Sequence, residues 1–96
     1  MNKWIDLPVP LLRNLKVEAA ANDTTLGNLC GEILQNFLDN EVPIVAPADN
    51  RTKILVKLPE TDWEQARAVA REAGISIYRA FESSAVQLGY LKAATV

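Results

Sequence analysis

Lys53, Leu55 and Lys57 share one side of an alternating stretch, RTKILVKL, whose other side carries Ile54, Val56 and Leu58. Two ammonium groups on one strand face donate hydrogen bonds and accept none, so the chemistry they offer is the capture of anions or acceptor-rich surfaces. Proton transfer has little to work with. The chain has no histidine, which removes the usual general base and most metal sites. Its single cysteine, Cys30, lies on an apolar stripe with no base to activate it, which predicts a buried, inert thiol. The carboxylates fall where solvated helix faces would put them. The expectation is a binding protein, not an enzyme, with no metal and no cofactor.

Charge is divided unevenly between the halves. The formal net charge is −2, yet residues 1–50 hold three basic side chains against seven acidic ones, and residues 51–96 hold seven against five. Any bound anion should therefore be led by the second half. With 49% hydrophobic and 23% charged residues the composition is that of a globular chain. No apolar run approaches the roughly 20 residues of a membrane span, and MNKWIDLPVPLL does not read as a secretion signal. The expectation is a soluble cytoplasmic protein without a membrane partner.

Short helices and strands must position these residues. WIDLP alternates and ends in Leu-Pro; Pro10 then suits the first turn of a helix striped by Leu12, Leu15 and Ala19. Asn22 and Asp23 tolerate the left-handed conformation that ends helices, and Thr25 can cap the next one, striped by Leu26, Leu29, Cys30, Ile33, Leu34 and Phe37. Residues 40–50, with two prolines, read as a linker. The pattern then recurs. RTKILVKL predicts a half-buried strand, and Thr61 with Glu64 forms a capping box for a helix striped by Trp63, Ala66, Val69, Ala70 and Ala73. Gly74 stops it, and Ser76 caps a last helix carrying Ile77, Ala80, Phe81, Ala85 and Leu88.

The two copies lie 51 positions apart, as Leu7-Pro8 and Leu58-Pro59 show. Shifting the eleven expected core positions of the first copy by 51 lands on apolar residues in ten cases, with Ser84 the exception, and Thr25 maps onto Ser76. The organisation predicted is a unit at 1–39, a linker at 40–50 and a unit at 51–96, together one compact domain. A strand-helix-helix unit of about 35 residues is too small to close a core, so each copy should supply the face the other lacks.

A strand ending in Leu-Pro, a helix with a Leu/Ala stripe, a short turn ending in a Thr or Ser cap, and a second apolar helix together resemble the ribbon-helix-helix family of Arc and MetJ type. The resemblance covers residues 3–39 and 53–91. It implies a mainly α fold in which two strands pair as an antiparallel ribbon, here as a pseudo-symmetric dimer within one chain, similar to the tandem units of some plasmid conjugation accessory proteins. Pairing of each unit with its counterpart on another chain is the competing arrangement.

By that resemblance the ribbon would enter the major groove of duplex DNA, the chain acting as a repressor or as an accessory factor in DNA processing on a mobile genetic element. Lys53 and Lys57 would meet guanine acceptors, Asn2 adenine, Leu55 a thymine methyl, and Asp6 only a base donor such as cytosine N4. Trp4 would pack at the ribbon's end or read a base. Thr25, Ser76 and Arg79, at helix N-termini, would meet phosphates. Two readings compete with this one. The lysines equally suit the solvated side of an edge strand. The ribbon and the acidic first half would also serve a protein partner, and two chains could associate as a homodimer. Because each unit needs the other, residues 1–45 expressed alone are expected to give the circular dichroism of an unfolded chain; a stable folded monomer would refute the shared core.

Overall fold

The computed structural model describes residues 1–92; the end of the second unit, 93–96, lies outside the described residues. Six elements follow in order: β1 (Asn2–Pro8), α1 (Val9–Ala21), α2 (Leu26–Asp39), β2 (Arg51–Lys57), α3 (Glu60–Glu72) and α4 (Ile77–Gln87). β1 and β2 pair antiparallel as a two-stranded sheet, so the ribbon forms within one chain. The register sets Asn2 against Lys57, Trp4 against Leu55, Asp6 against Lys53 and Pro8 against Arg51. Bonds between Met1 and Leu58 and from the Val9 amide to the Asn50 carbonyl extend it at either end. The arrangement is that of a tandem, ribbon-helix-helix-like fold.

The register exposes the internal symmetry. Trp4 and Leu55, which face each other across the ribbon, are equivalent residues of the two repeats, 51 positions apart. The same spacing recurs where α2 meets α4. Ser84 Oγ donates to the Ile33 carbonyl at 2.6 Å, and Asn36 Nδ2 donates to Gln87 Oε1 at 2.8 Å. Equivalent residues meet only on or beside a two-fold axis, so a pseudo-dyad runs from the ribbon's centre to the α2–α4 crossing. Ser84, the one polar position in the expected core, is fully buried and satisfied there, since it also accepts from Asn36.

The inner ribbon face, with Ile5, Leu7 and Val56, packs on a single core. Fully buried leucine and isoleucine side chains contribute about 1.5–3 kcal/mol each, and Ile5, Leu7, Leu11, Leu15, Ile33 and Leu34 all reach 0% exposure. Tyr90 and Leu91 pack against the same cluster, and Asn14 Nδ2 donates to the Tyr90 carbonyl.

Several expectations need correction. α1 buries Leu11, Leu15 and Ala19, with Leu12 on the flank. Both leucines fit a helical period, and the angle at which the helix leaves the strand chooses between them. α3 begins at Glu60, with Pro59 as N-cap and no side-chain cap bond, so Thr61 and Glu64 form no capping box. β2 runs into α3 through Leu58 and Pro59 alone, leaving no turn residue to cap, and Glu60 and Asp62 complement the helix dipole instead. Val69, Ala73 and Leu88 are exposed and Leu26 half-buried, because the helices lie on the core along narrow stripes. Thr25 and Ser76 do cap, accepting from the amides of Asn28 and Arg79 at 3.1 Å. Asp23 and Gly74 take the positive φ, 51° and 75°, that ends the preceding helices.

The segment joining the units lies along α4. The Val45 amide donates to Ser83 Oγ and the Ala48 amide to Glu82 Oε2. Glu82 is only 2% exposed, which overturns the expectation that every carboxylate sits on a solvated face. Its cost of burial is offset by Arg51, whose Nη1 meets Glu82 Oε1 at 2.5 Å while its Nε meets Asp6 Oδ1 at 2.7 Å. Cys30 is fully buried as expected; desolvation pushes its thiol up to about 12, so it stays protonated.

Gly27 and Gly31 test this packing in opposite senses. A Cβ on Gly27 would stand 2.9 Å from the Lys57 carbonyl oxygen, where α2 abuts the end of β2, while one on Gly31 meets nothing within 4 Å. Gly27→Ala is expected to lower stability by about 1 kcal/mol, overpacking outweighing the helix gain. Gly31→Ala should raise it by about 0.5–1 kcal/mol. Urea titration of both variants measures the difference, and equal signs would refute the close approach.

Candidate nucleic-acid interface

Strand alternation presents six side chains on the outer ribbon face as three cross-strand pairs: Asn2 with Lys57, Trp4 with Leu55, and Asp6 with Lys53. Lys53, Leu55 and Lys57 are exposed, while Val56 is buried and Ile54 half-buried beneath them. This is the division that alternation predicts. Trp4 differs from the expectation of a ring packed at the ribbon's end. It sits mid-ribbon, 59% exposed, beside Leu55 at 49%. The register decides this, because the pseudo-dyad passes between the two. The face thus has an apolar centre with one lysine toward each end.

Asp6 is not a free negative charge. Arg51 Nε binds its carboxylate and Arg51 Nη2 reaches its carbonyl at 3.3 Å. Arg51 is itself held by Glu82 and by the Ala48 carbonyl, so its position is fixed from three sides. Arg79 Nε donates to the Val45 carbonyl at 3.0 Å, tying α4 to the connecting segment and leaving its terminal nitrogens as the remaining donors. The caps at Thr25 and Ser76 spend their hydroxyl oxygens on their own helix amides.

No family model, no curated protein and no solved structure matches the chain. The site's meaning therefore rests on its own geometry. Among the described residues no helix is long and apolar enough to cross a membrane, and no group of three or more His, Cys, Asp or Glu could hold a metal ion.

A second feature flanks the ribbon. Between β1, α3 and the start of α4 lies a groove of about 670 Å³ whose lining includes Lys3, Arg67, Arg71, Trp63 and Tyr78. Lys3 Nζ lies 5.7 Å from the Trp63 ring centroid, and Trp63 and Tyr78 are tilted against each other at 6.3 Å. The sequence reading singled out none of these cations. The spacing was visible, since Trp63, Arg67 and Arg71 recur every fourth residue along one helix side. What the sequence did not show is that Lys3, from the other repeat, joins them.

The Asp6–Arg51–Glu82 chain supplies a test. Arg51→Met leaves Glu82 buried and unpaired, and should cost about 3–5 kcal/mol. The double variant Arg51→Met/Glu82→Leu should recover part of that loss, since an apolar pair of similar volume needs no counter-charge. Denaturant unfolding of both variants measures it; a double variant no more stable than the single would show that the pair is not the source of the cost.

Proposed function

We propose that the chain is a non-catalytic, duplex-DNA-binding protein that inserts its ribbon into the major groove. The observation that carries this reading is the outer ribbon face itself: a paired, two-stranded antiparallel ribbon with Lys53 and Lys57 exposed on it and its one carboxylate, Asp6, bound by Arg51. A major groove about 12 Å wide admits such a ribbon, and lysine donors suit guanine O6 and N7. Asn2 offers an amide to adenine, Leu55 an apolar contact to a thymine methyl, and Trp4 a flat apolar surface beside it. Thr25, Ser76 and Arg79, at the N-terminal ends of α2 and α4, would meet the backbone phosphates. A repressor and an accessory factor of DNA processing on a mobile element both use such a surface.

The exposed Trp4 and Leu55 at the ribbon's centre favour a second reading, in which the same face receives a protein partner. Aromatic and aliphatic side chains clustered at the middle of a surface, ringed by polar groups, are the usual anchors of a protein interface.

An electrophoretic shift on random-sequence duplex DNA at low salt separates the two. The wild type is expected to shift, and Lys53→Ala/Lys57→Ala to bind at least about tenfold more weakly, because two cations that enter the groove are lost and binding to random sequence is carried by charge. With roughly four phosphates neutralised, log affinity should fall against log salt with a slope near −3.6. A wild type that shifts no duplex would overturn the DNA reading in favour of the protein partner.

A further inference from the structure

The two edges of the ribbon are not equivalent in charge, although the fold makes them equivalent in shape. The groove beside Trp63 brings together Lys3, Arg67 and Arg71, and no carboxylate lines it. Arg67 and Arg71 are exposed, and among the described residues none of the three cations has a salt bridge. Three cations without a salt-bridge partner thus share one concavity, and an anion seated between them would pair with all three.

Shifting by 51 residues locates the equivalent place beside β2. Arg67 becomes Lys16, Arg71 becomes Ala20, and Lys3 becomes Ile54. The hollows beside β2 are lined by one lysine, Lys57, and by Met1, whose terminal ammonium donates to the Leu58 carbonyl, and one of them also by Glu32. The acidic Asp6 near the cationic groove lies on the far side of Tyr78, in a separate hollow, and is already bound by Arg51.

We infer that the groove formed by Lys3, Arg67 and Arg71 is a grip for the sugar-phosphate backbone of duplex DNA, present along the β1 edge of the ribbon only, so that a single chain holds its site from one flank. The inference rests on the DNA-binding reading above and adds to it the residues that neutralise phosphate. The ribbon lysines reach toward base edges in the groove; these three reach the strand that borders it. Trp63 supports the grip by holding the Lys3 ammonium near its ring. Binding from one flank gives the complex a direction that a symmetric dimer lacks.

The salt dependence of binding to a random-sequence duplex tests this, because each phosphate released from its counterion contributes about 0.9 to the log–log slope. Arg67→Gln should make the slope shallower by about 0.9 and Arg67→Gln/Arg71→Gln by about 1.8, whereas Lys16→Gln, the equivalent change beside β2, should leave it unchanged. Thermal melting checks that each variant folds; should the double variant melt early, the single variants carry the comparison. A wild type that binds DNA while the arginine variants keep its slope would overturn the grip alone. A Lys16→Gln slope as shallow as that of Arg67→Gln would overturn its confinement to the β1 edge. A wild type that binds no duplex would take both readings with it.

Discussion

Pairing of β1 with β2 is the constraint on which the rest of the molecule depends. Each strand-helix-helix unit has an apolar face that it cannot cover itself, and antiparallel pairing places Ile5 and Leu7 beside Val56 so that one ribbon face roofs a common core. The register then settles everything on the opposite face. A shift by one residue would send Ile5 and Leu7 into water and Trp4 and Asp6 into the core. Because the register is held by burial, the outer pairs Asn2–Lys57, Trp4–Leu55 and Asp6–Lys53 are a fixed arrangement of chemical groups.

Duplication within one chain frees the two halves to diverge while keeping the two-fold contacts. On the axis the repeats still touch through equivalent residues, Trp4 with Leu55 and Asn36 with Gln87. Away from it they differ in ways a homodimer could not. The connecting segment runs over α4, where Glu82 and Ser83 receive its amides, while the equivalent positions on α2 are Gly31 and Glu32, with nothing within 4 Å of a Cβ at Gly31. Arg51 neutralises both Asp6 on the ribbon and Glu82 in the interior, whereas the position equivalent to Glu82 in the first repeat is the uncharged Gly31. The same divergence gathers Lys3, Arg67 and Arg71 along the β1 edge of the ribbon, where the equivalent positions beside β2 are Ile54, Lys16 and Ala20.

Legibility of the fold in the sequence followed the range of the interaction. The caps at Thr25 and Ser76, the stops at Asp23 and Gly74 and the alternation of β2 are settled within a few residues, and the structure has them as read. In α1 the period places Leu15 and Ala19 correctly but is satisfied equally by Leu11 and Leu12, and only the helix's seat on the core selects Leu11. The capping box at Thr61 was a true local pattern overridden by a strand that enters its helix through Leu58 and Pro59 without a turn. Glu82 was unreadable as a buried group because its partners, Arg51 and the Ala48 amide, lie 31 and 34 residues away.

Taken alone, the sequence determined the order of elements, the repeat of 51 residues, and which side of each strand faces water, and therefore that Lys53, Leu55 and Lys57 are presented together. Only the tertiary structure decided that the strands pair within one chain, that Trp4 stands at mid-ribbon, that Asp6 is bound by Arg51, and that Lys3 meets Arg67 and Arg71 in one groove. The physical reason is that periodicity encodes which face of an element is apolar, whereas the identity of what covers that face, and of the charges then brought side by side, depends on contacts between residues far apart in the chain.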